Sequence, residues 1–249
     1  MRPEGRGRPI TAALVVIGEE ILTGKFADEN GPFAIRRLRE VGCDLRRLTV
    51  VPDDVPVIAA EVLACAASFD VVLTSGGVGP THDDVTFAGI AAAFDTPLAP
   101  HPELLALVRQ FGLPENDASR QMATVPLGAV LHRGPGEDVP VVQIRNVFVF
   151  PGVPRLFQRK LEIVLPLLAG ERVASARLRS RRTELDIAAA LGEVAGRFPL
   201  VAIGSYPRYE AEEHVLVTLD SRDLPSLAAA FAALVAALAP VEVVHAPPA

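Results

Sequence analysis

The chain has 249 residues, 50% hydrophobic and 22% charged, with a formal net charge of −6. This composition suits a globular protein with a large core, and the acidic balance without a broad basic run excludes nucleic acid as the main partner. With no Trp and only two Tyr, there is no stacking platform for single strands either. The longest apolar runs, such as 226–240, are Ala-heavy and too short to span a bilayer, so no membrane partner and a cytoplasmic location are expected. Cys43 and Cys65 show no CxxC spacing and no His-rich neighbour, which predicts buried free thiols in a reducing compartment.

In chain order, residues 1–9 are rich in Arg and Gly, lack a signal-peptide core and read as a disordered leader. Ala12 to Ile17 is a continuous apolar run closed by Gly18, the pattern of a strand covered on both faces. Phe33, Ile35, Leu38 and Val41 then fall near helical spacing within 28–41, with Gly42 as the stop. Residues 44–51 read as a second strand. Residues 53–67 read as a second helix, begun by acidic residues that its dipole favours. A buried strand over 69–74 runs straight into Ser75-Gly76-Gly77-Val78-Gly79-Pro80, and a helix is expected over 85–94.

Residues 97–145 are less regular, with helices at 102–111 and 118–124 and a turn-rich stretch at 127–140. A strand at 146–150 closes on Pro151-Gly152-Val153-Pro154 and leads into a helix running to about 168. This alternation predicts a three-layer α/β/α sandwich with a largely parallel sheet over residues 10–170. Residues 171–249 read as strand, helix, two strands, helix and strand, a small α+β domain with ferredoxin-like order.

The chemistry concentrates in residues 75–86. Glycines after a strand let backbone N–H groups approach a phosphate closely. Asp83 and Asp84 follow at the start of the next helix. They would either cap that helix or, beside a bound anion, hold a divalent cation such as Mg²⁺ or Mn²⁺. In such sheets ligands bind beyond the carboxyl ends of the strands, where the Gly18 and Ser75 loops both fall. Between Gly18 and Lys25, Glu20 is a candidate for ligating a metal or orienting a ligand hydroxyl, and Lys25 for neutralising a phosphate; a solvated loop is the alternative. His82 reads as a peripheral contact. Arg177, Arg179, Arg181 and Arg182 read as alternating strand residues facing solvent.

Gly76 to Thr86 resembles the GG-[LIV]-GPT-x-DD-[LIV]-T signature of the molybdopterin-binding superfamily, in the branch of CinA-type proteins and the N-terminal domain of eukaryotic FAD synthases. Gly18 to Gly24 is similar to G-x-E-[IL]-L-x-G, with Asn30 matching a following asparagine. Arg120-Gln121-Met122-Ala123 with Pro126, and Phe150-Pro151-Gly152-Val153-Pro154, match two further segments. Residues 146–154 resemble the FAD synthase type more than CinA, and so do Ser205-Tyr206-Pro207 and Leu219-Asp220-Ser221. The APGF-like stretch usual in CinA members is not seen at 134–142. Neither an amidase domain nor an ATP-dependent synthase domain is recognised, so the chain is expected neither to deamidate nicotinamide mononucleotide nor to make FAD.

The resemblance implies a site for a nucleotide or pterin phosphate. Ser75, Gly76, Gly77, Gly79, Pro80 and Thr81 would form the cradle, Pro151 and Gly152 would wall it, and Asn30 and Lys25 would contact the ligand. Some related domains are pyrophosphatases that use a divalent metal (Mg, Mn or Co) to split FAD or ADP-ribose. Here Asp83 and Asp84 would hold that metal, with Glu20 as a further carboxylate and Thr86 fixing the shell. Molybdopterin binding without hydrolysis is the alternative. The resemblance also implies a homo-oligomer.

Overall fold

The computed structural model describes residues 8–114, 116–136, 138–208 and 215–248; most of the expected leader, residues 1–7, lies outside them. The chain divides into two compact units that meet at Gly170 and Glu171.

The first unit is built on a six-stranded mixed sheet. Strand β1 (Thr11–Ile17) leads through a one-turn helix α1 (Glu19–Leu22) to helix α2 (Asn30–Glu40) and strand β2 (Asp44–Val51). Helix α3 (Val55–Ser68), strand β3 (Val71–Ser75) and helix α4 (Thr86–Ala93) follow. A two-stranded ribbon of β4 (Leu98–Pro100) and β5 (Thr124–Pro126) brackets α5 (Pro102–Gln110) and α6 (Asp117–Met122). Strands β6 (Val130–His132), β7 (Val141–Ile144) and β8 (Val147–Phe150) precede α7 (Pro154–Val164). The sheet order is β2-β1-β3-β8-β7-β6; its first four strands are parallel, and the β8–β7 and β7–β6 pairings are antiparallel. The largely parallel sandwich is therefore present, with an antiparallel edge that the turn-rich stretch had concealed.

The continuous apolar run of β1 follows from this central position. Ala13, Val15 and Ile17 pack into the core shared with Ile58, Val62 and Ile90 on one face. Ala12, Leu14 and Val16 pack with Ala34, Leu38, Phe157 and Leu161 on the other. Successive strand residues point to opposite faces, so a strand covered twice must be apolar throughout. Both cysteines are buried, and neither is in a disulfide. Burial, aided by the Glu61 hydrogen bond, pushes the Cys65 thiol up to about 11, which removes it as a nucleophile.

At the amino end of the sheet, Asp70 accepts from the Thr11 main chain (2.9 Å) and hydroxyl (2.8 Å) and from Arg8 (2.5 Å). The Thr11 bonds, more than Arg8, hold its carboxyl below the ordinary range. A depressed carboxylate contributes stability that is present above its unfolded pKa of about 4 and lost as pH falls through the folded value. Asp70→Asn is accordingly expected to lower the melting temperature at pH 7, and the gap to wild type should close on acidification below about pH 4. A gap that stays constant from pH 7 to pH 3 would refute the assignment.

The second unit carries β9 (Ala174–Ser180), α8 (Glu184–Arg197), β10 (Ala202–Pro207), β11 (Val215–Ser221), α9 (Leu224–Leu238) and β12 (Val241–His245). Its antiparallel sheet has the order β10-β11-β9-β12, as the ferredoxin-like reading requires. One face is covered by the Ala-rich helices through Ile187, Val194, Leu227 and Leu234. Arg177 and Arg179 alternate with buried Ala176, Leu178 and Ser180, and Arg179 pairs with Glu242 on β12. Among the described residues, no helix is long and apolar enough to cross a membrane.

Candidate functional site

The register brings the carboxyl ends of four parallel strands level, with Ile17 beside Val51, Val16 beside Ser75, and Ser75 beside Phe150. Four loops therefore start from one rim. Gly18 N–H donates to Val51 O (3.0 Å), and Gly76 N–H donates to Phe150 O (3.1 Å), each bond tying two neighbouring loops together.

The glycine loop turns sharply at Gly76 (φ +111°) and Gly77 (φ +62°). A Cβ on Gly76 would stand 2.0 Å from the Ile17 carbonyl oxygen, and one on Gly77 would stand 2.4 Å from the Thr86 hydroxyl. Only glycine meets both the backbone angle and the close approach. Thr86 is fully buried, and its hydroxyl donates to Gly76 O (2.8 Å) while its N–H donates to Gly77 O (3.0 Å). It fixes the turn itself. Among the described residues, the main-chain N–H groups of Gly77, Val78 and Gly79 have no protein acceptor.

Asn30, at the start of α2, clamps the loop from the side. Its Nδ2 donates to Ser75 Oγ (2.9 Å) and to Gly152 O (2.7 Å). The residue is 4% exposed, and its Oδ1 has no partner among the described residues. Gly152 comes close to the loop, since a Cβ there would lie 3.3 Å from Gly76 Cα. The structure thus brings together Asn30, Ser75, Gly76, Gly77 and Gly152.

The two aspartates separate. Asp84 is half-buried against Gly79, and its Oδ2 accepts from the Thr81 N–H (2.8 Å) and the Thr81 hydroxyl. It closes the turn around Pro80 and Thr81. Neither aspartate caps α4, whose N-cap is Val85 without a side-chain cap. Asp83 is exposed, as is His82 beside it.

Glu20 sits exposed on α1 with its carboxylate folded over Gly18, and Lys25 is exposed at the end of the same turn. The structure does not gather Glu20 with Asp83 and Asp84, because no group of three Asp, Glu, His or Cys side chains suited to a metal exists among the described residues. The carboxylate beside Gly77 is instead Asp53, which the sequence offered only as an acidic helix start. Asp54 takes the N-cap of α3, accepting from Val57 N–H (3.0 Å). Asp53 is left to accept from Glu19 N–H (2.9 Å), with its Oδ1 lying 3.4 Å from a Cβ placed on Gly77. The adjacent pair at 53 and 54, where one aspartate suffices as a cap, was the available signal.

A divalent metal fits this donor set in one form. Hard ions of the Mg²⁺ type take one or two carboxylates and complete their shell with water and substrate phosphate. Asp84, half-buried against Gly79, and the exposed Asp83 next to it in sequence would offer such carboxylates. They do not provide a closed all-protein cage.

Residues 13–170 match the family model described as a probable molybdopterin binding domain. Residues 172–247 match that of the FAD synthase middle domain. The chain is 34% identical over 226 residues to a protein named probable FAD synthase from Caenorhabditis elegans, covering 79% of this chain and 44% of that protein. It is 33% identical over 244 residues to a CinA-like protein from Myxococcus xanthus, covering 90% of this chain and 56% of that one. The chain thus spans about half the length of these relatives. Among solved structures, a CinA protein of unknown function from Thermoplasma acidophilum superposes with a TM-score of 0.58 at 28% identity, over 64% of this chain and 99% of that one. The match over more than half its length settles the family: this chain belongs to the molybdopterin-binding domain family, in a form joined to a FAD synthase middle domain.

Proposed function

We propose that the first unit binds a nucleotide or pterin ligand by its phosphate and splits the pyrophosphate of FAD- or ADP-ribose-like dinucleotides with a divalent ion. The observation that carries the reading is the run of three unpartnered main-chain N–H groups at Gly77, Val78 and Gly79. Such consecutive N–H groups in a turn make an anion-binding concavity. Asp53 lies beside Gly77 and Asp84 beside Gly79, so a phosphate is accommodated between them only with a cation to offset their charge.

A bound divalent ion would supply Lewis-acid polarisation of a phosphoryl oxygen. The chain's own part is to hold and orient. The nest grips one phosphate, and Asn30 fixes the relation of the Ser75 and Gly152 loops. Asp83 and Asp84 provide carboxylate oxygens beside the scissile group. In the reaction a water oxygen bonds to one phosphorus as the bridging P–O bond breaks; the other phosphate keeps the bridging oxygen, a water proton passes to it or to solvent, and AMP and the second phosphomonoester are released.

The test is AMP release from FAD and ADP-ribose with Mg²⁺, Mn²⁺ or Co²⁺, followed by chromatography. The Asp83→Asn, Asp84→Asn double variant is expected to lose activity by about tenfold or more. It should also weaken Mn²⁺ binding, read separately from the paramagnetic signal of the free ion. Folded wild-type protein that leaves both substrates intact yet binds molybdopterin would replace hydrolysis with binding, the reading that the family description favours.

A further inference from the structure

We infer that the second unit holds a site for a phosphate dianion, either orthophosphate or the phosphate end of a small phosphomonoester, in an arginine-lined cavity where β9 ends and β12 begins. The inference does not rest on the phosphate reading of the glycine loop, which belongs to the first unit.

The cavity has a volume of about 550 Å³, inside the range of roughly 300–1,000 Å³ usual for small-ligand sites. Arg179, Arg181, Pro240, Val241 and Glu242 line it. Its arginines follow from the alternation of β9. Ala176, Leu178 and Ser180 are buried, so Arg177 and Arg179 share the opposite face of the strand. The register sets Val241 against Ser180 and Glu242 against Arg179, which brings the start of β12 beside the end of β9. Arg181 follows directly on that end. Arg177 pairs with His245 in the same ladder.

The donors of this cluster are poorly satisfied. A guanidinium offers five N–H groups in a planar fork. Among the described residues, Arg179 finds acceptors only for Nη1, the two Glu242 oxygens at 3.3 and 3.4 Å, long for a bond between charged groups. Its Nε is buried with no partner among the described residues, which costs free energy until an acceptor arrives. Arg177 and Arg181 are exposed, and neither side chain has a partner among the described residues. Three guanidinium charges thus stand against one carboxylate, and the excess matches a dianion. The carboxylates nearest in chain and ladder are engaged elsewhere. Asp186 accepts from Thr183 in the capping box of α8, Glu184 from Ser205 and Asp220 from Ser175. Arg182 is engaged as well, donating to Asp186 O (2.9 Å). Phosphate accepts paired N–H bonds from a guanidinium fork, so it fits the donors that Arg179 and Arg181 leave open.

Phenylglyoxal, which modifies arginine side chains, tests the site in the full chain, with adducts assigned residue by residue from peptide masses. Orthophosphate and AMP, at matched ionic strength, are each expected to slow labelling of Arg179 and Arg181 by roughly tenfold at about ten times the dissociation constant. Labelling of Arg36, exposed on α2, should not change. Arg181→Gln alters an exposed position; it should keep the wild-type melting temperature and remove most of the protection of Arg179. Protection by only one of the two ligands also supports the site and assigns its source. No protection by either ligand overturns the site, and so does equal slowing at Arg36. Equal protection by acetate overturns it too, because that marks screening alone. Protection by a single-stranded RNA oligonucleotide and by neither small ligand replaces it with a nucleic-acid surface. Full protection of Arg179 in a folded Arg181→Gln variant refutes the paired arginines. Each arginine is read separately from the glycine loop, so the two phosphate readings can fail independently.

Discussion

Gly76→Ala is expected to lower the melting temperature of the first unit by about 10 °C and to abolish pyrophosphate binding. An alanine at φ +111° is strained by itself, at about 1–3 kcal/mol. Its Cβ would also stand 2.0 Å from the Ile17 carbonyl oxygen, which belongs to the central strand. Relief requires that strand or the loop to move. The loop is the softer partner, since β1 is bonded to both neighbours along its length. Its movement breaks the Thr86 bond to Gly76 O and disperses the nest. Gly77→Ala meets the Thr86 side chain instead, at φ +62°, and should cost less because a side chain can yield. Scanning calorimetry on both variants checks the ranking. A melting temperature for Gly76→Ala within about 2 °C of wild type would show that the close approach is not a constraint.

Asn30→Asp is expected to be almost as damaging at neutral pH, by about 3 kcal/mol, although it preserves the shape. The amide donates to Ser75 Oγ and Gly152 O from a position 4% exposed. A carboxylate there meets the Gly152 carbonyl oxygen with no proton between them, and a bond from the Ser75 hydroxyl offsets only part of its burial cost. Burial raises its folded pKa, so the variant's penalty grows as pH rises above the unfolded value of about 4 and levels off above the folded one. On acidification the protonated carboxyl can again donate to Gly152 O. The stability gap between variant and wild type should therefore narrow as pH is lowered from 8 to 5. Denaturant titrations across that range test it, and a gap independent of pH would remove Asn30 from the clamp.

The Asn30 clamp also marks the limit of reading the chain locally. The asparagine stands out in the sequence only through a resemblance, and its bond to Gly152 crosses 122 positions. Nothing in the periodicity near either residue encodes that distance. The apolar run of β1, the helical spacing of α2 and the glycines after β3 are all readable, because each reports a local constraint. A strand buried on two faces must be apolar throughout, a helix must repeat near 3.6, and a positive φ favours glycine. The ferredoxin-like order of the second unit is readable for the same reason.

What tertiary structure decided is which polar groups meet. Adjacent Asp83 and Asp84 look equivalent in sequence, yet Thr81 closes its turn on Asp84 through two bonds while Asp83 stays exposed. Adjacent Asp53 and Asp54 divide similarly, one beside the nest and one capping a helix. Strands β4 to β7 escaped because strands of three or four residues are too short for alternation to show. The sequence by itself determined the layered architecture and the position of the phosphate loop, since hydrophobic patterning and backbone chirality act within a few residues. Its partners, Asp53, Asn30 and Gly152, come from four strands ending at one rim, and only the folded chain brings them there.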